Sequence, residues 1–175
     1  RSWYPLLPSL VDHYDLSKNL DAARAIAEHT RMADASGLAV LEVGAGGCLL
    51  AMFLHKLARP RTYDVVDLDF VIPFGFAMLR SFAPEIPVAL PGEPIADAVV
   101  RFRDNNDLVF EDAIHDVAVN ITSFGEMTQG NVDDYFTLIA HSLRRGGLFA
   151  CINRNAKVTR FENYPWHLIA GEMVV

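Results

Sequence analysis

Leu41-Glu42-Val43-Gly44-Ala45-Gly46-Gly47 is the stretch that decides how this chain folds. A short apolar run over 38–43 stops at Gly44, which reads as a buried strand. From 47 to 58 the apolar residues Leu50, Phe53, Leu54 and Leu57 recur at i, i+3, i+4 and i+7, which predicts a helix with one buried face. The quoted stretch is therefore a strand-to-helix turn. Glycines there let the backbone turn sharply and approach a ligand, and the next helix offers free N–H groups at its positive end. A dinucleotide fingerprint requires Gly or Ala three positions after Gly46, and Leu49 stands there instead. Glu42, two positions before the first glycine, suits a cofactor that carries an ammonium group.

Working outward, residues 63–66 read as the second strand, closed by Asp67. A carboxylate at that place, roughly 20 residues past the glycine turn, can accept both hydroxyls of an adenosine ribose. Together with Glu42 this favours S-adenosylmethionine (SAM) over a nicotinamide. Residues 69–82 predict a helix with Asp69 as its cap and Pro73 in its first turn. For the third strand, 86–90 is favoured as the core strand and 98–102 as an inserted element, with Pro91-Gly92-Glu93-Pro94 between them. Residues 117–121 are strand four. Asn131 caps a helix whose buried face carries Val132, Tyr135, Phe136, Ile139 and Leu143. Asp133 and Asp134 fall in its first turn, Arg144 and Arg145 in its last, and Gly146-Gly147 stops it. Residues 148–152 are strand five. What remains, 153–175, is short for the closing hairpin of a complete sheet of this kind.

Strands alternating with helices predict an α/β, Rossmann-like fold: a mostly parallel sheet, helices on both faces, cut short at its C-terminal end. The reading divides the chain into an N-terminal helical segment, 1–37, and a cofactor-binding domain, 38–175. In the first, Ser17 caps a helix over 18–34 that turns Ala23, Ile26, Ala27 and Thr30 to one side.

Asn120-Ile121-Thr122-Ser123-Phe124-Gly125-Glu126-Met127 leaves strand four at the edge where α/β folds bind ligands. Asn120 and Ser123 are candidates for cofactor or substrate contacts and Glu126 for a general base; loop and cap chemistry leading into the next helix explains the same residues equally well. Asp116 and His115 sit at the opposite end of that strand. None of the 6 histidines forms an HxH or HxxxH pair, so no metal site is expected. His55 and His141 read as surface residues.

The formal charge of −7 argues against a nucleic-acid partner. No run of 18 apolar residues suggests a membrane span, and Arg1-Ser2-Trp3-Tyr4-Pro5 lacks the order of a secretion signal. The 2 cysteines, Cys48 and Cys151, form no CxxC pair, which points to a reducing cytoplasm.

With these pieces in place, the chain resembles the sugar O-methyltransferases of the class I SAM-dependent methyltransferase superfamily. The glycine turn through Asp67-Leu68 carries part of the likeness, and Asn120 to Met127, similar to the family's Asn-x-x-Ser-Phe-x-Glu-Met, carries more. The rest lies in Gly146-Gly147-Leu148-Phe149, Asn153-Arg154 and Phe161-Glu162-Asn163-Tyr164-Pro165-Trp166. The family's turn has a third glycine where this chain has Cys48. The resemblance implies methyl transfer from SAM to a hydroxyl of a small molecule, a sugar. It implies a cofactor site of Glu42, Gly44, Ala45, Gly46, Asp67, Leu68 and Asn120. Glu126 and Ser123 would act in catalysis, with Asn153 and Arg154 at the acceptor. A homo-oligomer is compatible with this reading. A methyltransferase-like module that binds without catalysis and an NAD(P)-dependent oxidoreductase are the alternatives.

Overall fold

The apolar run before Gly44 forms β1 (Ala39–Val43), buried at every position. The computed structural model describes residues 13–31, 37–105, 112–153, 158–170 and 172–174. It places β1 inside a seven-stranded sheet with β2 (Thr62–Asp67), β3 (Val88–Ala89), β4 (Val100–Asp104), β5 (His115–Ile121), β6 (Leu143–Ile152) and β7 (Glu172–Val174). The order is β3-β4-β2-β1-β5-β6-β7, and each paired neighbour is parallel. The chain moves outward from β1 through β2 to the edge strand β3, steps back to β4, and then crosses to β5 on the other side of β1. The crevice left at that reversal, at the carboxyl ends of the strands, is where such sheets bind ligands.

A parallel sheet has to be covered on both faces, and the side chains alternate accordingly. Val40, Tyr63, Val65, Val117 and Val119 point to one face. There they meet α1 (His13–Arg31), α2 (Leu49–Leu57) and α3 (Ile72–Phe82). Leu41, Val43, Val66 and Ala118 point to the other, against Val132, Phe136 and Ile139 of α4 (Gln129–Ser142). The predicted side of α1 is the buried one, with Ala23, Ile26, Ala27 and Thr30 all buried. Since α1 shares the hydrophobic cluster of β1 and α2, it packs as part of the same core.

Several local expectations are corrected. The inner strand is β4, paired directly with β2, while Val88–Ala89 is only a two-residue edge strand. Pro87 has no N–H to give, and its carbonyl accepts from Val99 and Val100 at 2.9 and 3.0 Å. β4 overlaps the stretch read as an inserted element. Its Val100 and Phe102 face the α1–α3 side, while Arg101 and Arg103 turn to the other face and bind the buried Asp64. α1 begins at His13, so Ser17 lies inside it and is no cap. α3 begins at Ile72 behind Val71, with Pro73 in its first turn, and no side chain caps it; Asp69 lies in the preceding turn.

The cap of α4 is Thr128, whose side chain accepts from the Asn131 N–H, so that the helix starts earlier and Asp133 and Asp134 lie beyond its first turn. It also ends earlier, because Leu143 is already extended. Leu143 pairs with His115 and Leu148 with Val117, so Arg144, Arg145, Gly146 and Gly147 form a bulge within β6. Among the described residues the C-terminal segment makes no antiparallel hairpin. Short 3₁₀ helices at Phe161–Asn163 and Trp166–Leu168 pack Tyr164 and Trp166 against Phe136, and β7 then joins β6 in parallel. Tyr164 and Trp166 thus plug the α4 face, with the indole N–H donating to the Phe161 carbonyl at 3.1 Å.

Candidate functional site

The glycine turn is built from residues that tolerate left-handed backbone. Gly44 has φ +72° and Gly46 φ +52°. A Cβ on Gly44 would stand 2.2 Å from Ser123 Oγ, so no larger residue fits. At Gly46 a Cβ would meet nothing within 4 Å, which leaves open space beside that backbone. Cys48 also adopts this conformation, with φ 55° and ψ 31°, as the N-cap of α2. An L-residue there costs roughly 1–2 kcal/mol. Its N–H donates to Ala45 O at 2.9 Å.

Helix α3 presses on this turn from outside. A Cβ on Gly75 would come 2.7 Å from Gly46 O and 2.8 Å from Cys48 Sγ. Gly75 is therefore a site residue that sequence reading missed; its signal was a lone glycine in an otherwise apolar helix. Asp67 closes the turn from β2. Its carboxylate accepts from the Gly46 N–H and from the Leu68 N–H, both at 2.8 Å. Burial raises the pKa of Asp67, and those two N–H groups oppose the rise.

Glu42 lies behind the turn, 2% exposed, and accepts from the Tyr63 hydroxyl at 2.6 Å. Burial pushes its pKa up to about 7, against the pull of that hydrogen bond and with a further push from Asp67.

A cavity of about 1050 Å³ opens in front of the turn at the carboxyl ends of the strands. It brings together six of the predicted residues: Gly44, Gly46, Asp67, Leu68, Ser123 and Glu126. Glu42, Ala45, Asn120 and Asn153 do not line it. Ala45 is half-buried on the turn, and Arg154 lies outside the described residues.

Asn120 is fully buried and its amide is fully engaged. It donates to Val43 O at 2.8 Å and Ser123 Oγ at 2.5 Å, and accepts from Asn153 Nδ2 at 2.7 Å and the Phe124 N–H at 3.3 Å. Asn153 Oδ1 in turn accepts from the Gly125 N–H at 3.2 Å. This network fixes the 120–127 segment to the ends of β1 and β6.

The cavity also holds residues that the sequence reading did not assign to it. Thr122 has φ 65°, and a β-branched residue held there is a strain typical of functional sites. The α4 residues Asn131, Asp134, Tyr135 and His141 line the opposite wall. Tyr135 hydrogen-bonds Asn105, and burial together with the Asp67 charge raises its pKa. The helical period had placed Tyr135 in the core and His141 on the surface; His141 is exposed, and its ring is 2.5 Å from Asp112. Among the described residues no group of three or more His, Cys, Asp or Glu is placed to hold a metal.

This turn, carboxylate and crevice can be set beside known structures. Geranyl diphosphate methyltransferase, solved with geranyl diphosphate and sinefungin, matches 73% of this chain and 42% of its own length, with a TM-score of 0.52 and 21% identity. The fold is that of the SAM-dependent methyltransferases. CalS10, an amino pentose methyltransferase from Micromonospora echinaspora solved with SAM, matches 74% of the chain and 48% of its own at 17% identity and a TM-score of 0.50. The [4+2]-cyclase SpnF matches 73% and 42%, at 19% identity and 0.52. The chain thus spans less than half of each of these proteins, and the methyltransferase fold hosts more than one chemistry. No protein-family model and no curated protein matches the chain. Among the described residues no helix is long and apolar enough to cross a membrane.

Proposed function

We propose that the chain is the cofactor-binding core of a SAM-dependent O-methyltransferase whose acceptor is a hydroxyl of a small molecule, a sugar. The observation that carries this reading is the clasp between Asp67 and Gly46 at the mouth of the cavity. The residues fit the cofactor: the backbone beside Gly46 is open, Leu68 presents an exposed apolar side chain, and Asp67 can exchange its backbone partners for ribose hydroxyls. Glu42 stands behind the turn, outside the cavity lining, and acts on an ammonium group through its charge rather than by contact. When bound, SAM supplies a methyl group on a positively charged sulfur, a leaving group that needs no acid.

The chain's task is then alignment and removal of one proton. Glu126, at the cavity wall, takes the proton of the acceptor hydroxyl, a contribution of about 10²–10⁴-fold. Ser123 is seated on Gly44 and held by Asn120, which sets where the acceptor oxygen can lie. Asn153 acts by holding the Gly125 N–H next to Glu126, and Arg154, the next residue in the sequence, is proposed as a contact of the acceptor.

Calorimetric titration with SAM and S-adenosylhomocysteine tests the cofactor site. Micromolar binding that Asp67→Ala loses supports the reading, and a folded chain that binds neither ligand overturns it. Glu126→Gln should keep SAM binding and slow turnover by about 10²-fold or more. Unchanged turnover removes Glu126 from the chemistry.

A further inference from the structure

We propose that cofactor binding expels a proton from Glu42, so that the site holds its cofactor more tightly as the medium turns from acid to neutral. The inference rests on the methyl-transfer reading of the cavity and adds a proton linkage to it. Glu42 pairs with Val65 on β2 and Val119 on β5. Its side chain therefore points, with theirs, into the α1–α3 face, where the surroundings are apolar and only 2% of the residue is exposed.

A carboxyl in such a place stays ionised only where a cation or several donors replace its water. Among the described residues Glu42 has one hydrogen bond, from the Tyr63 hydroxyl at 2.6 Å. A phenol donates one proton and brings no charge. The other titratable groups that interact with Glu42 are Asp67 and Cys48, on the two flanks of the glycine turn, and neither can be cationic. β5 turns only Val117, Val119 and Ile121 to this face. On α1, Lys18 is paired with Asp15 at 2.6 Å and Arg24 with Asp21 at 3.6 Å. On α2 and α3 the basic side chains His55, Lys56 and Arg80 fall in the last turns. With a like charge nearby and no opposite one, burial decides, and it pushes the Glu42 pKa up to about 7.

The amino-acid end of the cofactor changes that balance. Gly44 and Gly46 line the cavity, and Glu42 lies behind them. An ammonium group seated on that backbone brings a cation, and in a buried space of low dielectric its charge acts without contact. Glu42 then passes from carboxylic acid to carboxylate and its proton leaves to solvent; when the product departs, the carboxylate takes a proton back. This proton is distinct from the one that methyl transfer frees from the acceptor hydroxyl. S-adenosylhomocysteine, which keeps the ammonium group and has no methyl to give, therefore expels it as well. Since the ligand favours the ionised form, affinity rises with pH up to about 7 and levels off above it.

Calorimetric titration with S-adenosylhomocysteine in two buffers of different ionisation enthalpy counts the protons released per ligand bound. At about pH 6 the unaltered chain should release roughly half a proton or more, and at about pH 8.5 almost none. Affinity should rise about five- to tenfold from pH 6 to pH 8. Glu42→Gln should bind without release, with an affinity that no longer changes over this range. Tyr63→Phe removes the donor that favours the carboxylate and should move the midpoint of the affinity curve upward. 5′-Methylthioadenosine, which has no ammonium group, should bind without release. His141 of the cavity wall, 2.5 Å from Asp112, also titrates near neutral pH, and the Glu42→Gln chain keeps it. Four results from a chain that binds S-adenosylhomocysteine overturn the proposal: no release at pH 6, release that persists in Glu42→Gln, equal release with 5′-methylthioadenosine, or a midpoint that Tyr63→Phe leaves in place. A folded chain that binds no S-adenosylhomocysteine at any pH overturns the methyl-transfer reading itself.

Discussion

Two buried carboxylates on adjacent strands are treated in opposite ways. Asp64 of β2 and Glu42 of β1 are one register step apart and point to opposite faces, since Leu41 pairs with Asp64 and Glu42 with Val65. Asp64 is fully buried and surrounded by donors: Arg101, Arg103 at 2.8 Å and His115 at 3.1 Å. Burial alone would raise its pKa, but the His115 hydrogen bond and the two guanidinium groups outweigh that and hold it below the usual carboxylate range. Glu42 is equally buried, yet its neighbours are a phenol, the Cys48 thiol and another carboxylate, Asp67. A charge compensated inside the protein serves the fold. A carboxyl buried without cationic partners keeps its proton to higher pH, and under the proposed function it is the group a cationic ligand would ionise.

The largest expected effect breaks the compensated site. Asp64→Ala removes the buried carboxylate that Arg101 and Arg103 share and should cost about 3–5 kcal/mol in urea unfolding at neutral pH. The sign of the pH dependence follows from the lowered pKa. The stabilisation is complete above the unfolded value of about 4, and is lost as pH falls through the lower native value. A loss under about 1 kcal/mol would mean that water, rather than the two arginines, compensates Asp64.

At Glu42 the same experiment should give the opposite sign. With a native pKa of about 7 against a model value of 4.5, the folded chain holds a proton that the unfolded chain releases over that interval. Stability without ligand should therefore fall as pH rises from 4.5 to about 7, and stay level above it. Glu42→Gln should remove that slope and stabilise the chain at pH 8 by about 1–3 kcal/mol, while weakening SAM binding about ten- to a hundredfold. A variant that is less stable at pH 8 would place Glu42 with Asp64, as a structural carboxylate.

The same contrast explains what was legible in the sequence. The turn at Gly44 and Gly46, the closing Asp67 and both helix-flanked faces follow local patterns, and the parallel sheet came with them. Strand β4 was read as an inserted element, and nothing local to 98–104 reveals that Asp64, on another strand, receives its arginines. Asn120 illustrates the same limit at the site. Its position at a strand end was readable, whereas its engagement with Val43, Ser123, Phe124 and Asn153 depends on three elements meeting. The α4 wall was hidden for a different reason. Tyr135 has the period of a core residue, and only the packing shows it at the border between core and cavity.

Cys48 offers the smallest and most discriminating change on the Glu42 side. Its left-handed backbone is a strain that glycine would relieve, worth roughly 1–2 kcal/mol. Opposing that, the side chain is fully buried, and losing a packed CH₂ and thiol costs about 1 kcal/mol or slightly more. Cys48→Gly should therefore change stability by less than about 1 kcal/mol, and it leaves Gly46, Asp67 and Glu42 in place for the cofactor. Cys48→Val adds a β-branch at a positive φ and should cost about 2 kcal/mol or more, since it strains the backbone and crowds Gly75. Thermal unfolding of the two variants beside the unaltered chain separates the contributions. If the glycine variant loses as much as the valine one, the thiol's packing against Gly75 governs the turn. If it gains, backbone strain governs, and the departure from a third glycine is a tolerated cost rather than a loss of the site.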